Sequence, residues 1–297
     1  MAENFEGRRR RVIVIYNPAA GRSRRGRLNA VIDALRHLAC DLELRETNAP
    51  GHAEQIAREI DPHTVDILVA AGGDGTINEV VNGLRGKSVA LAVIPLGTAN
   101  VLADEVGLSR NPTKVATVIA QGPLRPIRVG CANGRRFVMM AGAGFDAEVV
   151  DGVRLDLKKL IGPLAYVWEM IRQAFTYRFN GCDLEIDGRA FHAVSAIVCK
   201  GRSYGGPFVA APKASIEDDS FQVVMFGRRG WFNVTRYGLA LIAGRLPYLP
   251  DVHIVTGRRL VLASSEGAPL QADGDILTRL PACIEIDAEP VLMAFPA

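Results

Sequence analysis

Residues 70–84 read AAGGDGTINEVVNGL, and this stretch decides the fold of the first half of the chain. The apolar run DILVA at 66–70 leads into it and is typical of a strand buried on both faces. From Ile77 to Leu84 the apolar residues follow the i, i+3, i+4, i+7 spacing of an amphipathic helix. Backbone N–H groups point outward where a strand turns directly into a helix, and glycines there allow left-handed angles and close approach. The stretch therefore predicts a phosphate-binding turn.

Asp74 lies in the middle of that turn, where a bare carboxylate would repel a phosphate. Its presence is explained if a divalent cation, or a hydroxyl about to be phosphorylated, lies between the carboxylate and the phosphate. A tight turn with a helix-capping aspartate is the simpler alternative. On this segment alone, both interpretations remain open.

Strands and helices alternate on both sides of this turn. The apolar runs VIVIY at 12–16 and SVALAVIP at 88–95 predict two more buried strands, and a short strand is expected at 42–44. Helical spacing is found near 28–35 and 53–60. Such alternation indicates parallel βαβ units, so we predict an α/β domain with a parallel sheet.

Two other strands end in similar turns. NPAAG follows the first strand with Asn17 and Gly21, and PLGTAN follows the fourth with Gly97, Thr98 and Asn100. The carboxyl ends of parallel strands meet at one edge of the sheet, which is where open α/β sheets bind ligands. Three turns of this kind together predict a nucleotide site at that edge.

The pattern changes after Pro126. Apolar runs flank Asn133-Gly134 and Asp187-Gly188, which are strong signals for β-hairpins. Short apolar runs continue toward the C-terminus, interrupted by helical stretches near 155–175 and 231–243. These features predict a β-rich second half.

We therefore expect two domains, a nucleotide-binding α/β domain at 1–126 and a β-rich domain at 127–297. The composition supports this division, because 297 residues with 48% hydrophobic and 23% charged side chains are enough for two globular cores.

Charge and cysteine content limit the partners. A net charge of +3 is too weak to indicate nucleic acid. Arginines cluster at 8–11 and at 22–27, and such clusters are either solvated or attracted to anionic lipid or phosphate. Five scattered cysteines indicate a reduced, cytoplasmic protein. No apolar run approaches the roughly 18 residues of a membrane span, so peripheral association is the expected form of membrane contact.

Two acidic motifs lie in the second half. QADGD at 271–275 places Asp273 and Asp275 around a glycine, which suits either a hairpin turn or a general base that deprotonates a hydroxyl. ASIEDDS at 214–220 carries three consecutive carboxylates at 217–219. That segment is either a solvated acidic turn or a Mg²⁺ site with oxygen ligands.

With NPAAG, GGDGTIN, PLGTAN, AGAGFDA, APKASIEDDS and QADGD in this order, the sequence resembles the diacylglycerol kinase catalytic-domain superfamily, in its bacterial soluble lipid-kinase branch. The resemblance covers nearly the whole chain. It implies an N-terminal domain related to phosphofructokinases and NAD kinases, a C-terminal β-sandwich, and ATP held in the cleft between them.

The resemblance also implies roles for individual residues. A structural Mg²⁺ would be held by Asp218 with main-chain oxygens of Ser215 and Ser220. The catalytic acidic residues would be Asp273 and Asp275, and the glycine turn that follows the strand at 66–70 adds Asp74 as a third candidate. With the third turn included, the candidate ATP-binding residues are Asn17, Pro18, Ala19, Ala20, Gly21, Thr47, Gly72, Gly73, Asp74, Gly75, Thr76, Ile77, Asn78, Gly97, Thr98 and Asn100.

Four residues depart from the family's usual pattern. Asp275 stands where the family usually has glutamate, and Ser220 where it usually has glycine. Val101 and Arg128 stand where many relatives have aspartate. The first two departures bear on the catalytic base and on the structural Mg²⁺, and the last two bear on the choice of lipid.

The sequence thus predicts an ATP- and Mg²⁺-dependent enzyme of phospholipid metabolism, located in the cytoplasm and bound peripherally to the membrane. It would transfer the γ-phosphoryl group to the hydroxyl of a lipid such as diacylglycerol or ceramide. Two alternatives remain, a soluble-substrate kinase of the NAD kinase type and a nucleotide-binding regulator without catalysis. The sequence leaves open whether a second copy of the chain is a partner in a homodimer.

Overall fold

The computed structural model describes residues 9–20, 24–152, 181–264 and 267–297. The chain divides into two compact units. The first takes its residues from Met1–Ile127 and Ala288–Ala297, and the second comprises Arg128–Asp287. The helical stretch expected near 155–175 lies outside the described residues.

The first unit alternates strands with helices up to residue 127. Its strands there are β1 (Arg11–Tyr16), β2 (Asp41–Glu46), β3 (Ile67–Gly72), β4 (Ala90–Pro95) and β5 (Leu124–Ile127). Its helices are α1 (Arg25–His37), α2 (His52–Glu59), α3 (Asp74–Gly83), α4 (Val101–Glu105) and α5 (Pro112–Gln121).

The second unit consists mainly of short strands. They are β6 (Gly130–Ala132), β7 (Arg135–Phe137), β8 (Met140–Ala143), β9 (Cys182–Ile186), β10 (Arg189–Ala193), β11 (Ser195–Cys199), β12 (Ser203–Tyr204), β13 (Phe208–Val209), β14 (Phe221–Phe226), β15 (Val252–Gly257), β16 (Arg259–Ala263), β17 (Pro269–Ala272), β18 (Asp275–Arg279) and β19 (Ala282–Ile286). Its described helices are α6 (Phe145–Gly152) and α7 (Trp231–Ile242). The strand that follows, β20 (Val291–Ala294), belongs to the first unit.

The first unit contains one sheet, in the order β2-β1-β3-β4-β20-β5. The neighbours from β2 to β20 are parallel, and only β5 runs antiparallel to β20. All residues of β3 and β4 are buried, as their continuous apolar sequences predict. The predicted parallel α/β domain is confirmed.

The C-terminal residues correct the predicted domain division. We expected 127–297 to form one β-rich domain, but β20 pairs with β4 and β5 of the first sheet. Residues 288–297 therefore belong to the first unit, and the second unit ends at Asp287. An apolar run such as VLMAF fits any sheet equally well, and for this reason its sequence does not reveal which sheet it joins.

Besides the two-stranded pair β12-β13, the described part of the second unit contains two six-stranded antiparallel sheets. One has the order β10-β9-β16-β19-β6-β7, and the other has the order β15-β14-β11-β8-β17-β18. Buried side chains from both sheets form a single apolar core, in which Phe137 stacks on Phe221 with ring centroids 5.9 Å apart. This is the predicted sandwich-like arrangement.

Two-residue turns connect several of these strands. Asn133 and Gly134 join β6 to β7 with φ of 47° and 86°, and Asp187 and Gly188 join β9 to β10 with φ of 46° and 80°. Such angles match the right-handed twist of the flanking strands, so both predicted hairpins are confirmed.

Candidate active site

The three predicted turns lie side by side at one edge of the first sheet. In the strand register Tyr16 is opposite Ala71, and Gly72 is opposite Pro95. The Asn17 N–H donates to the Ala71 carbonyl (3.0 Å), and the Gly97 N–H donates to the Gly72 carbonyl (3.0 Å). The chain therefore leaves β1, β3 and β4 at one level, as the alternation of strands and helices predicts.

Side chains also connect the first turn to the second. Asn17 donates through Nδ2 to Thr76 Oγ1 (3.1 Å), and its Oδ1 accepts from the Ala19 N–H (2.9 Å). Thr47 follows β2 and donates its N–H to the Tyr16 carbonyl (2.8 Å), which places it at the same edge. Four segments that are distant in sequence thus meet there.

The glycines of these turns lack side chains where neighbouring atoms approach very closely. A Cβ on Gly97 would lie 2.4 Å from the Gly73 Cα, and a Cβ on Gly72 would lie 2.4 Å from Thr76 Oγ1. None of these three glycines has a positive φ. We expected these glycines to be needed for left-handed backbone angles, and this expectation is wrong. They let the turns after β3 and β4 touch each other.

We predict that Gly97→Ala lowers the melting temperature and weakens ATP binding. The added methyl would overlap the Gly73 backbone, and overpacking of this kind costs about 1–3 kcal/mol, or roughly 2–10 °C in a protein of this size. Gly26→Ala is the matched control, because nothing lies within 4 Å of its Cβ position. Calorimetry and an ATP titration would measure both effects. Equal behaviour of the two variants would contradict the packing argument.

Helix α3 begins at Asp74 directly after the second turn. Its N-cap residue is Gly73, which has no side chain that can cap the helix, and the first helical hydrogen bond runs from the Ile77 N–H to the Gly73 carbonyl (3.1 Å). The N–H groups of a first helical turn have no partner within the helix and carry the positive end of its dipole. This helix start is suited to a phosphate, with the Asp74 carboxylate beside it.

Asn100 stabilises the third turn from within. Its backbone is left-handed (φ 51°) and the residue is buried. Its Oδ1 accepts from the Gly97 N–H (2.8 Å), and its Nδ2 donates to the Gly97 carbonyl (2.7 Å). Both ends of the amide are thus engaged in shaping the turn, while Thr98 is exposed at its tip.

The remaining predicted nucleotide residues have different environments. Pro18, Ala19 and Ala20 form a short 3-10 helix after β1, and Gly21 lies outside the described residues. The Ile77 side chain is buried in the core, so only its backbone is available to a ligand. Arg27 on α1 donates to the Pro95 carbonyl (3.4 Å), which brings one arginine of the basic cluster to this edge.

In the second unit, Asp273 and Asp275 flank the tip of the β17–β18 hairpin. The Asp273 carboxylate accepts three backbone N–H groups, from Val138 (2.7 Å), Met139 (2.8 Å) and Met140 (3.1 Å). A carboxylate with three such donors is well stabilised as an anion and is a poor proton acceptor. Asp275 is exposed, and within the described chain its carboxylate accepts no hydrogen bond.

A buried polar network that no sequence pattern predicted supports this hairpin. Tyr204 and Gln271 both donate to the Asp146 carboxylate, Gln271 at 2.6 Å, and the Gly274 N–H donates to Gln271 Oε1 (3.0 Å). Burial raises the pKa of Asp146, and the hydrogen bonds from Tyr204 and Gln271 oppose that shift. A Cβ on Gly142 would lie 1.8 Å from Asp146 Oδ2, so the AGAGFDA motif provides the space for this carboxylate.

One of the expected structural Mg²⁺ ligands, the Ser215 carbonyl, is bonded to a lysine. Lys200 Nζ donates to the carbonyl oxygens of Ser215 (2.6 Å) and Asp218 (2.7 Å). Burial lowers the pKa of Lys200 to about 8, although the nearby Asp218 and Asp219 oppose the shift. This arrangement does not fit a Mg²⁺ ion, because the ammonium already occupies the Ser215 oxygen that the ion would require.

Both units match models of known families. The model of the diacylglycerol kinase catalytic domain matches residues 11–132, and that of the YegS C-terminal NAD kinase beta sandwich-like domain matches residues 139–294. Together with the fold and the strand-end turns, these matches define the class of the protein as a kinase, that is, a phosphotransferase.

Two individual relatives are also named as kinases. The chain is 32% identical over 280 residues to the diacylglycerol kinase of Bacillus subtilis (strain 168), with 92% of each chain covered. It is 34% identical over 219 residues to a Pseudomonas aeruginosa (strain UCBPP-PA14) protein named "Probable lipid kinase YegS-like", covering 71% of this chain and 70% of the relative. The protein belongs to the diacylglycerol kinase catalytic-domain superfamily.

A solved structure supports the fold independently. The crystal structure of a diacylglycerol kinase from Bacillus anthracis str. Sterne superposes with a TM-score of 0.79 at 24% identity, covering 96% of each chain. Within the described residues, no helix combines the length and the apolar character needed to cross a bilayer.

Proposed function

We propose that the protein is an ATP-dependent lipid kinase that transfers the γ-phosphoryl group to the hydroxyl of a diacylglycerol-like lipid, ceramide or a related acceptor. The observation that carries the proposal is the start of α3, where an uncapped helix begins beside the Asp74 carboxylate and between two glycine turns in contact. The names of the relatives in Bacillus subtilis and Pseudomonas aeruginosa support a lipid as the acceptor.

The α3 start is suited to the phosphates of ATP. Backbone N–H groups of the first helical turn would bind phosphate oxygens, and Arg27 lies at the same sheet edge with a positive charge. Within the described residues no group of three acidic, histidine or cysteine side chains forms a metal site. Mg²⁺ often binds through one or two carboxylates plus substrate phosphates, and Asp74 fits that role. When bound, the ion would neutralise charge on the transferred phosphoryl group.

We assign the proton transfer to Asp275. Its exposed carboxylate is available to accept the proton of the lipid hydroxyl while the hydroxyl oxygen bonds to the γ-phosphorus and the bond to the ADP oxygen breaks. Asp273 would be a positioning residue, because its carboxylate is committed to the N–H groups that hold β8 against the hairpin. Gln271 supports the hairpin from the other side through Gly274.

An assay with labelled ATP, Mg²⁺ and a panel of lipids in mixed micelles tests this function. Label in a phosphorylated lipid is the expected result. Label in NAD instead would favour a kinase of the NAD kinase type. Saturable ATP binding with no transfer to any acceptor would favour a nucleotide-binding regulator.

Helix α7 provides a surface through which the enzyme would reach its lipid. Its outward side chains are strongly exposed, with Trp231 at 52%, Phe232 at 65%, Leu239 at 63% and Ile242 at 66%. Successive helical residues are about 100° apart, so these four share one face. On the opposite face Tyr237 is buried and donates to Asp251 Oδ2 (2.5 Å). The helix is therefore anchored by polar contacts and presents its apolar face outward.

The residues around this face favour a bilayer as its partner. Arg228 and Arg229 precede the helix and Arg245 follows it, and all three are exposed. An apolar face with tryptophan and phenylalanine, flanked by arginines, is typical of helices that lie in the headgroup region of anionic membranes. We therefore propose that α7 binds the membrane peripherally, from the cytoplasm.

We predict that Phe232→Ser combined with Leu239→Ser weakens binding to phosphatidylglycerol vesicles by about 10²-fold or more, because each buried apolar side chain contributes about 1.5–3 kcal/mol. Vesicle co-sedimentation at several salt concentrations would measure it. Val261→Ser is the control, since Val261 is also a partly exposed apolar residue, at 39%, but lies on β16. Unchanged binding would exclude α7 as the membrane surface. A dimer that the double variant abolishes would indicate that a second copy covers this face.

A further inference from the structure

Lys200 is the starting point, because a fully buried lysine needs an explanation. It follows β11 directly, its relative exposure is 0%, and its backbone N–H donates to the Met139 carbonyl (2.8 Å). Its Nζ donates to the Ser215 and Asp218 carbonyls at 2.6 and 2.7 Å. Charged donors form short, strong hydrogen bonds with carbonyl oxygens, so this side chain connects β11 to the acidic loop before β14.

Several other polar groups of that loop are also engaged by the chain itself. The Ser215 carbonyl accepts a second hydrogen bond, from the Asp218 N–H (3.2 Å), and the Ile216 carbonyl accepts the Arg128 N–H (2.7 Å). The Asp219 carboxylate is paired with the Arg258 guanidinium. With two donors on it, the Ser215 oxygen has both lone pairs occupied and offers no position for a further ligand.

The charge of the Lys200 ammonium opposes a divalent ion at the Ser215 oxygen. The Lys200 ammonium is attracted by Asp218 and Asp219 and repelled by Arg128. An ion with two positive charges would be attracted by Asp218 and Asp219, but at the Ser215 oxygen it would meet the repulsion of the Lys200 ammonium, which lies 2.6 Å from that oxygen, and of Arg128. Displacing the ammonium would leave a buried cation without its two carbonyl partners, which is costly in a dry environment.

We propose that the Lys200 ammonium takes the place of the structural Mg²⁺ in this protein and holds the 211–220 loop without any metal ion. The departures Arg128 and Ser220 both lie at this site, and Arg128 bonds the loop directly through its backbone. The loop would then be ordered at any Mg²⁺ concentration, whereas Mg²⁺ would be required only together with ATP. The proposal concerns the resting protein and does not depend on which reaction it catalyses.

Thermal unfolding of the nucleotide-free protein in EDTA and in increasing MgCl₂ tests the proposal. The melting temperature of the wild type is expected to be the same throughout the titration. Lys200→Met keeps the length of the side chain but removes both hydrogen bonds, and it should lower the melting temperature by roughly 5 °C or more. Lys213→Met is the matched control, because Lys213 lies in the same loop but is exposed. It should melt like the wild type.

A second measurement keeps the test decisive if Lys200→Met does not fold. Wild-type crystals soaked in MnCl₂ without nucleotide should show no anomalous peak beside the Ser215 carbonyl. A peak there would overturn the proposal. So would a saturable rise of the wild-type melting temperature with MgCl₂ that Asp218→Asn abolishes. Equal melting of the Lys200 and Lys213 variants would likewise show that the ammonium does not hold the loop.

Discussion

Asp275→Asn is expected to lower kcat by about 10²–10⁴-fold, which is the usual effect of removing a positioned base. The amide keeps the size of the carboxylate but cannot accept the proton of the lipid hydroxyl. Because Asp275 is exposed and engaged in no hydrogen bond within the described residues, the melting temperature should not change. Turnover at saturating ATP and lipid, with a calorimetric scan of the same sample, measures both quantities.

Asp273→Asn provides the contrast within the same hairpin. Its carboxylate accepts three N–H groups, and an amide has only one oxygen to offer them. This variant should lose stability, by several degrees at roughly 2–4 °C per kcal/mol, and any loss of activity should accompany that change. If instead Asp275→Asn were fully active and Asp273→Asn were inactive but stable, the two roles would have to be exchanged.

Asp74→Asn is expected to lower the rate of phosphoryl transfer by about 10²–10⁴-fold while changing ATP affinity much less. Asparagine keeps the shape of the helix start but removes the charge that would bind Mg²⁺ or orient the acceptor hydroxyl. The backbone N–H groups that would bind the phosphates are unaffected by this change. Single-turnover rates and an ATP titration separate the two effects.

Asp104→Asn is the matched control for Asp74. Asp104 is likewise an acidic residue in the first turn of a helix of the first unit, and its carboxylate lies 3.6 Å from Arg110. A partly exposed ion pair with a 3.6 Å separation contributes about 1 kcal/mol or less, so its loss should leave both rate and affinity near the wild-type values. Full activity of Asp74→Asn in a folded protein would exclude Asp74 from the mechanism.

Local sequence signals predicted much of this fold. Buried strands are visible as continuous apolar runs, and Asn133-Gly134 and Asp187-Gly188 have the turn chemistry that two-residue hairpins require. The turns after β1, β3 and β4 share one edge because parallel strands must end together. In each case the physical cause lies within a few residues of the signal.

The features that escaped prediction depend on contacts between distant residues. Lys200 looks like an ordinary surface lysine until the loop at 215–218 folds over it. Nothing near Gln271 in the sequence reveals that it meets Asp146. Periodicity and turn chemistry contain no information about such meetings.

The position of β20 has a consequence for biosynthesis. The first sheet needs Val291–Ala294 between β4 and β5, so its strand order is complete only when these residues, which follow the whole second unit in the sequence, have left the ribosome. Domains commonly fold from the N-terminus as they emerge, but here the first unit to be translated is the last that can be completed. A gene fragment that stops at residue 127 would encode a sheet with an open edge at β4. The unit that is translated first can therefore complete its fold only after the second unit has been translated.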